Sequence, residues 1–273
     1  MARVIELNYY PVKGCAGTSV REAVVTPAGL THDRSFMVTD EGGVFRSQRH
    51  SAPMALTHPE VAAGGERLTL RAPGADMMRI DVDLTAARCD VELFGVAYQG
   101  IDQGDAVARW LSRVLDAPRR LVRVPPEHHR VTDGETPGTS GYADSSPLLL
   151  TSRSSLDLLN ERIAERGGAP VPMDRFRPNI VLDGWDEPHR EDRTRRIIVG
   201  DVELGFAKLA VRCAVTTIDQ ESGTRTGPEP LRTLAGYRRG AQGGVTFGVK
   251  FAVLQPGTLS VAMRLSPTSV FSC

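Results

Sequence analysis

The chain lacks the features that announce most chemistries. Its start, MARVIELNYYPVKG, carries no apolar run of signal-peptide length, and no segment nears the roughly 20 apolar residues that cross a bilayer. A soluble, cytoplasmic protein with no membrane partner is expected. Excess charge is missing as well: 33 Lys plus Arg balance 33 Asp plus Glu, so no net field draws the chain to a nucleic-acid polymer, although local basic patches remain open. The four cysteines, Cys15, Cys89, Cys213 and Cys273, form no CxxC pair. That scatter suits a reducing compartment and offers no disulfide framework, zinc ribbon or iron–sulfur ligand set. HExxH, P-loop, GxGxxG and GxSxG motifs are absent, so zinc-hydrolase, nucleotide-binding and α/β-hydrolase readings have no anchor. The six histidines give no rival metal site: His32, His50, His58 and His189 are dispersed, and a strand would turn the adjacent His128 and His129 to opposite faces.

What is present is a β-rich pattern. At 273 residues with 41% hydrophobic side chains, the length favours two modest domains over one large core. Short strands with turn signals recur from RVIELNYYPV through SVREAVVTP, SFMVTD, VFRSQR, RLTLRA, MRIDVDL and CDVELFG, a spacing that reads as a small β-barrel. A helix over residues 102–115, with Ala106, Val107, Trp110, Leu111, Val114 and Leu115 at helical spacing, closes it. The strand RRLVRVPP then opens the second half. The expected class is α+β, β-rich, with domains at 1–117 and 118–273 and a cleft between them. The Gly/Ser/Thr/Pro-rich stretch 132–147 is a surface loop or a flap over that cleft. Beyond it, LLLTSRSSLDLLNERIAERGG reads as a strand and a helix, with Ser152 or Ser154 as N-cap and Asp157 in the first turn. Such an N-terminus is an anion site, though capping alone explains the serines.

Two stretches carry the chemistry. In LAVRCAVTTIDQESG, Cys213 follows Arg212 inside a β-branched run expected to be a partly buried strand. A thiol there is either a small buried hydrophobe or a soft ligand, and a neighbouring guanidinium favours the thiolate. About thirty residues earlier stands RFRPNIVLDG.

Together with FAVLQPGTLSV, these motifs resemble the MOSC domain, and YPVKGCAGTSVREAVVTPAGLTHDRSFMVTDEGG resembles the β-barrel domain that precedes MOSC in amidoxime-reducing molybdoenzymes. The resemblance implies molybdopterin, whose dithiolene holds molybdenum and whose phosphate carries charge. Thiolates match the metal and cationic side chains match the phosphate. Cys213 is the position that matches the family's molybdenum ligand. Lys13 and Gly14 in YPVKG, Arg34 in HDRSF, Thr151 and Ser152 after the LLL strand, Arg177 and Asn179 in FRPN, and Val211 and Arg212 beside the cysteine match its cofactor contacts. Each has a plainer alternative: solvated surface charges, a turn residue at Asn179, a weak surface pair at Asp33–Arg34.

The chain departs from the family pattern at Gly14 and Val211, where many relatives carry serine, and at VAMRL, where Gly-Asp is usual. Gly14 permits close backbone approach instead. The implied activity is reduction of small N-hydroxylated substrates: amidoximes, hydroxylamines and N-hydroxylated nucleobases. With no dinucleotide fingerprint, electrons would come from a separate ferredoxin, cytochrome b5-like protein or flavoprotein reductase. The alternative is a non-reducing sulfur-carrier or cofactor-binding module. The N-terminal targeting and anchoring extension that the mitochondrial relatives carry is not expected before Ile5.

Overall fold

Hydrogen-bonded strands dominate a computed structural model of the chain, which describes residues 1–240 and 243–266. Cys273 lies outside the described residues. A seven-stranded sheet runs in the order Arg196–Val199, Val202–Arg212, Val245–Gln255, Leu148–Ser152, Ile180–Asp183, Arg3–Tyr9, Thr18–Val20. Its one parallel pair, Leu148–Ser152 with Ile180–Asp183, is bridged by the helix Arg153–Ala164, the crossover that parallel pairing requires. A five-stranded sheet runs Arg88–Leu93, Val96–Asp102, Arg120–Arg123, Phe36–Thr39, Val12–Lys13. Neither ladder closes on itself among the described residues.

The β-rich character read from the sequence is present, but two strands sit in unexpected company. Arg3–Tyr9 pairs with Ile180–Asp183, bringing Val4 opposite Leu182 and Leu7 opposite Ile180, so the first strand packs into the core of the larger sheet. Arg120–Arg123 pairs with Phe36–Thr39 and Val96–Asp102 and belongs to the smaller sheet. Pairing partners are set by long-range burial, which strand propensity does not encode. VFRSQR supplies only bridge contacts, Thr39 with Phe45 and Val44 with Glu92.

The expected helix over 102–115 spans Asp105–Val114. Val107, Ala108, Trp110 and Leu111 are its buried residues, and Val107, Trp110 and Leu111 close the core beneath the small sheet with Phe36, Leu68 and Leu70. Ala106 is exposed. The second helix starts at Arg153 with Ser152 as N-cap and no acidic residue in its first turn. No helix among the described residues is long and apolar enough to cross a membrane.

The strand Val202–Arg212 ends at Arg212, so the expected strand through Cys213 is corrected. Ala214–Thr217 form a 3-10 turn, with Cys213 at its N-cap. The β-branched run is overridden because Thr216 N–H and Oγ donate to the Cys213 carbonyl at 3.1 and 3.0 Å, local hydrogen bonding that competes with a ladder.

Candidate active site

Cys213 is exposed, where an apolar run would have buried it. It opens onto a cleft of about 330 Å³ between the two sheets, and eight of the ten residues that the resemblance singled out line it: Lys13, Gly14, Arg34, Arg177, Asn179, Val211, Arg212 and Cys213. Six cations line this cleft (Lys13, Arg34, Arg49, Arg177, Arg212 and Lys250) against a single carboxylate, Asp144. In a chain with no net charge, that concentration makes the cleft locally cationic.

The arginines are held by buried scaffolding. Arg34 donates to the Asp33 carboxylate at 2.6 Å and to Asn179 Oδ1 at 3.0 Å. Asp33, 1% exposed at its side chain, also accepts the Tyr10 N–H at 2.7 Å. The Asp33–Arg34 pair is therefore a buried anchor and not a weak surface pair. Arg34 and Arg177 each lie 4.3 Å from the centre of the Tyr10 ring, whose hydroxyl burial pushes up to about 12, so Tyr10 stays a neutral platform. Arg177 donates to the Cys15 carbonyl at 2.6 Å and to Gln220 Oε1 at 3.2 Å. Both Arg34 and Arg177 have left-handed backbones, φ 46° and 55°, which non-glycine residues seldom adopt and which cluster where side chains must be aimed.

Asn179 acts as the splice between sheets. Its Oδ1 accepts from Arg34 and from Leu149 N–H, and its Nδ2 donates to the Asn8 carbonyl. The amide is spent on protein partners, so on the cleft wall its part is to aim Arg34. Arg212 donates to the Phe176 carbonyl at 2.6 Å, while its Nε is buried without a partner. Burial holds both Arg177 and Arg212 below the usual arginine range.

Lys13 bonds Asp144 and sits 5.0 and 5.1 Å from the Phe45 and Phe94 ring centres. Burial lowers Lys13, against the pull of Asp144. Burial opposes ionisation of Asp144, but Lys13 and Lys250 prevail and hold its carboxyl below the usual range. Its side chain remains 64% exposed, so solvent screens part of that attraction. Lys250 donates to Ser145 Oγ at 2.6 Å, and burial brings its ammonium down to about 8.

Thr151 and Ser152 do not line the cleft. They end the central strand of the larger sheet, both fully buried. Thr151 Oγ donates to Met173 Sδ at 3.3 Å. Ser152 caps the helix and, with Ser155, holds the Glu191 carboxylate at 2.9 and 2.7 Å. The anion at this helix N-terminus is the protein's own.

Sequence reading missed Ser145, Ser146, Asp144, Lys250, Gln48 and the Phe45–Phe94 pair, all in the cleft lining. Ser145 and Ser146 fall in the loop that was open to being a flap. Arg130 pins that loop by donating to the carbonyls of Gly141, Ala143 and Asp144. Lys250 carried a signal of its own, a lone cation in the apolar run FGVKFAVL.

The departures at Gly14 and Val211 have local explanations. Gly14 adopts φ 85°, and a Cβ there would stand 2.9 Å from Met54 Cε, so this backbone favours glycine over serine. Val211 is 60% exposed on the cleft wall, and a hydroxyl is lost there without a core penalty.

Residues 1–118 match the MOSC N-terminal beta barrel domain, and residues 137–265 match the MOSC domain. The chain is 34% identical over 278 residues to Mitochondrial amidoxime-reducing component 1 of Homo sapiens, covering 94% of this chain and 80% of that one. It is 34% identical over 274 residues to Mitochondrial amidoxime reducing component 2 of Rattus norvegicus, covering 92% and 79%. It is also 32% identical over 264 residues to Molybdenum cofactor sulfurase of Danio rerio, covering 90% of this chain and 31% of that protein. With relatives of this identity and coverage beside the two domain matches, the chain belongs to the MOSC-domain proteins, in the family of the amidoxime-reducing components.

Proposed function

We propose that the cleft binds the molybdenum cofactor and that the protein reduces small N-hydroxylated substrates with electrons from a separate donor. The observation that carries this reading is the convergence of six cations and an exposed thiol in one cleft of a neutral chain. The residues fit the group on three counts. A dianionic phosphate finds cations fixed in place by Asp33, Asn179 and Gln220. The buried Arg212 Nε lacks an acceptor, a cost that a bound anion removes. Cys213 offers a soft sulfur on a strand end, suited to molybdenum.

Lys13, Arg34, Arg177 and Arg212 would hold the phosphate and pterin end, Gly14 would let the backbone approach, and Cys213 would ligate the metal. The bound cofactor supplies two-electron transfer and an acceptor for the substrate oxygen. The overall reaction takes two electrons and two protons, turning an amidoxime N–OH into an amidine N–H plus water. The chain's own residues orient and exclude: Tyr10 spaces Arg34 from Arg177, and Lys250, its ammonium brought down to about 8 by burial, stands in the cleft as a group able to exchange a proton.

Protein purified from a host that makes the cofactor should reduce benzamidoxime when given a reduced viologen dye and fail with NADH alone. Turnover with NADH alone would remove the need for a partner. A second reading, a non-reducing sulfur-carrier or cofactor-binding module, is favoured by the likeness to the sulfurase and the open Cys213 thiol. Cofactor-loaded protein that stays inactive with the dye would select it.

A further inference from the structure

The hairpin Arg88–Leu93/Val96–Asp102 turns through two residues, Phe94 and Gly95, with Leu93 paired to Val96. Both adopt left-handed backbones, φ 56° and 80°. Such loops take asparagine, aspartate or glycine at the first position, and a bulky aromatic there is strained. The tip itself is open, since a Cβ on Gly95 would meet nothing within 4 Å. Phe94 nevertheless turns into the cleft. Its ring packs edge-to-face on Phe45 at 5.6 Å and 84°, with Lys13 Nζ at 5.1 Å and the Arg49 guanidinium at 5.8 Å from its centre. It remains 49% exposed. The other two phenylalanines lining the cleft are covered, Phe45 at 7% and Phe176 at 0%, the latter stacked on Phe247 at 3.9 Å. Phe94 is thus the one open aromatic surface of the cleft lining among the described residues.

A strained backbone that spends an aromatic ring on a solvent-facing wall points to a ligand that repays it. The half-buried arginines Arg34, Arg177 and Arg212 mark the place for a resident anion, whereas Phe94 stands where exchanging molecules pass. We infer that Phe94, backed by Phe45, is the specificity wall of the substrate site, selecting N-hydroxylated compounds whose reacting group is attached to a planar aromatic or heteroaromatic ring. The inference rests on the reductase reading above. Lys13 and Arg49 steer the same selection, because their charges beside the ring favour a neutral, electron-rich π system over a cationic alkyl chain.

The test compares wild type, Phe94→Ala and Phe94→Leu, cofactor-loaded and matched for molybdopterin content, in dye-driven reduction of benzamidoxime and acetamidoxime. The kcat/KM ratio of aryl to alkyl substrate should fall about tenfold in Phe94→Ala, chiefly through KM for benzamidoxime, and by less in Phe94→Leu, which keeps apolar area. An unchanged ratio overturns the assignment. Molybdopterin loss in Phe94→Ala overturns it too, since the ring would then serve the pterin. Calorimetric titration of the oxidised proteins with benzamidoxime separates the two claims. If wild type binds without turnover and Phe94→Ala binds about tenfold more weakly, the wall stands and the reductase reading fails. If turnover proceeds and neither binding nor the ratio depends on Phe94, the reductase reading stands and the wall fails.

Discussion

Gln48 and Gln220, 172 positions apart, form a reciprocal amide pair, each Nε2 donating to the other's Oε1 at 3.0 Å. The pair also holds the site, because Gln48 donates to the Gly14 carbonyl at 2.9 Å and Gln220 accepts from Arg177 at 3.2 Å. Gln48→Ala strands these groups in a partly buried setting, at a cost of about 1–3 kcal/mol in unfolding free energy. The double variant Gln48→Ala/Gln220→Ala should cost less than the sum of the singles, with coupling of roughly 0.5–3 kcal/mol by denaturant titration. Additive singles would show that the two amides do not act as a coupled pair.

Arg34 and Arg177 should separate when each is removed. Arg34→Ala leaves Asp33 buried and unpaired, and breaking such a pair costs about 3–5 kcal/mol. Arg177→Met removes a cation whose hydrogen bonds go to a carbonyl and an amide oxygen and whose guanidinium rests on the Tyr10 ring, leaving no buried carboxylate behind, so the cofactor-free fold should lose less. Both should weaken binding of inorganic pyrophosphate. Equal melting losses in the two variants would contradict the anchor role of Asp33.

Lys250 gives a pH dependence with a definite sign. Burial lowers its ammonium from 10.5 to about 8. Between those values the unfolded chain holds a proton that the folded chain has released, so this group's contribution to stability rises with pH from about 8 to 10.5. Anion binding should move oppositely, weakening as pH passes 8 and the cleft loses a charge. Lys250→Met should flatten both profiles and raise the melting temperature of the cofactor-free protein at pH 7, by roughly 2–4 °C for each kcal/mol relieved. A pH profile of pyrophosphate affinity unchanged by the substitution would refute this role.

Cys213 has no side-chain substitute. Cys213→Ala should abolish dye-driven amidoxime reduction while leaving the melting temperature of the cofactor-free protein unchanged, since the thiol is exposed and caps nothing with its side chain. Retained activity would remove Cys213 from the metal site.

The short motifs made much of this site legible. YPVKG, HDRSF, FRPN and VRC each deliver residues to the cleft, because a charged or small residue beside a strand end is a local feature that sequence carries directly. The pairing of Arg3–Tyr9 with Ile180–Asp183 was not legible, since the partner of a strand is chosen by burial across the whole chain. Thr151 and Ser152 misled for a related reason. Their hydroxyls satisfy Met173 and Glu191, contacts that depend on which side of the central strand faces the helix. Lys250 and Phe94 were hidden by register and turn geometry, the first placed by pairing with Leu149, the second by a backbone that aromatic residues seldom take.

The central claim is that this cleft is a molybdenum site. Elemental and pterin analysis of the chain purified from a cofactor-producing host tests it most directly. The account predicts molybdenum and molybdopterin equimolar with protein in wild type, with molybdenum reduced and pterin retained in Cys213→Ala. A wild-type protein reproducibly free of both would contradict it.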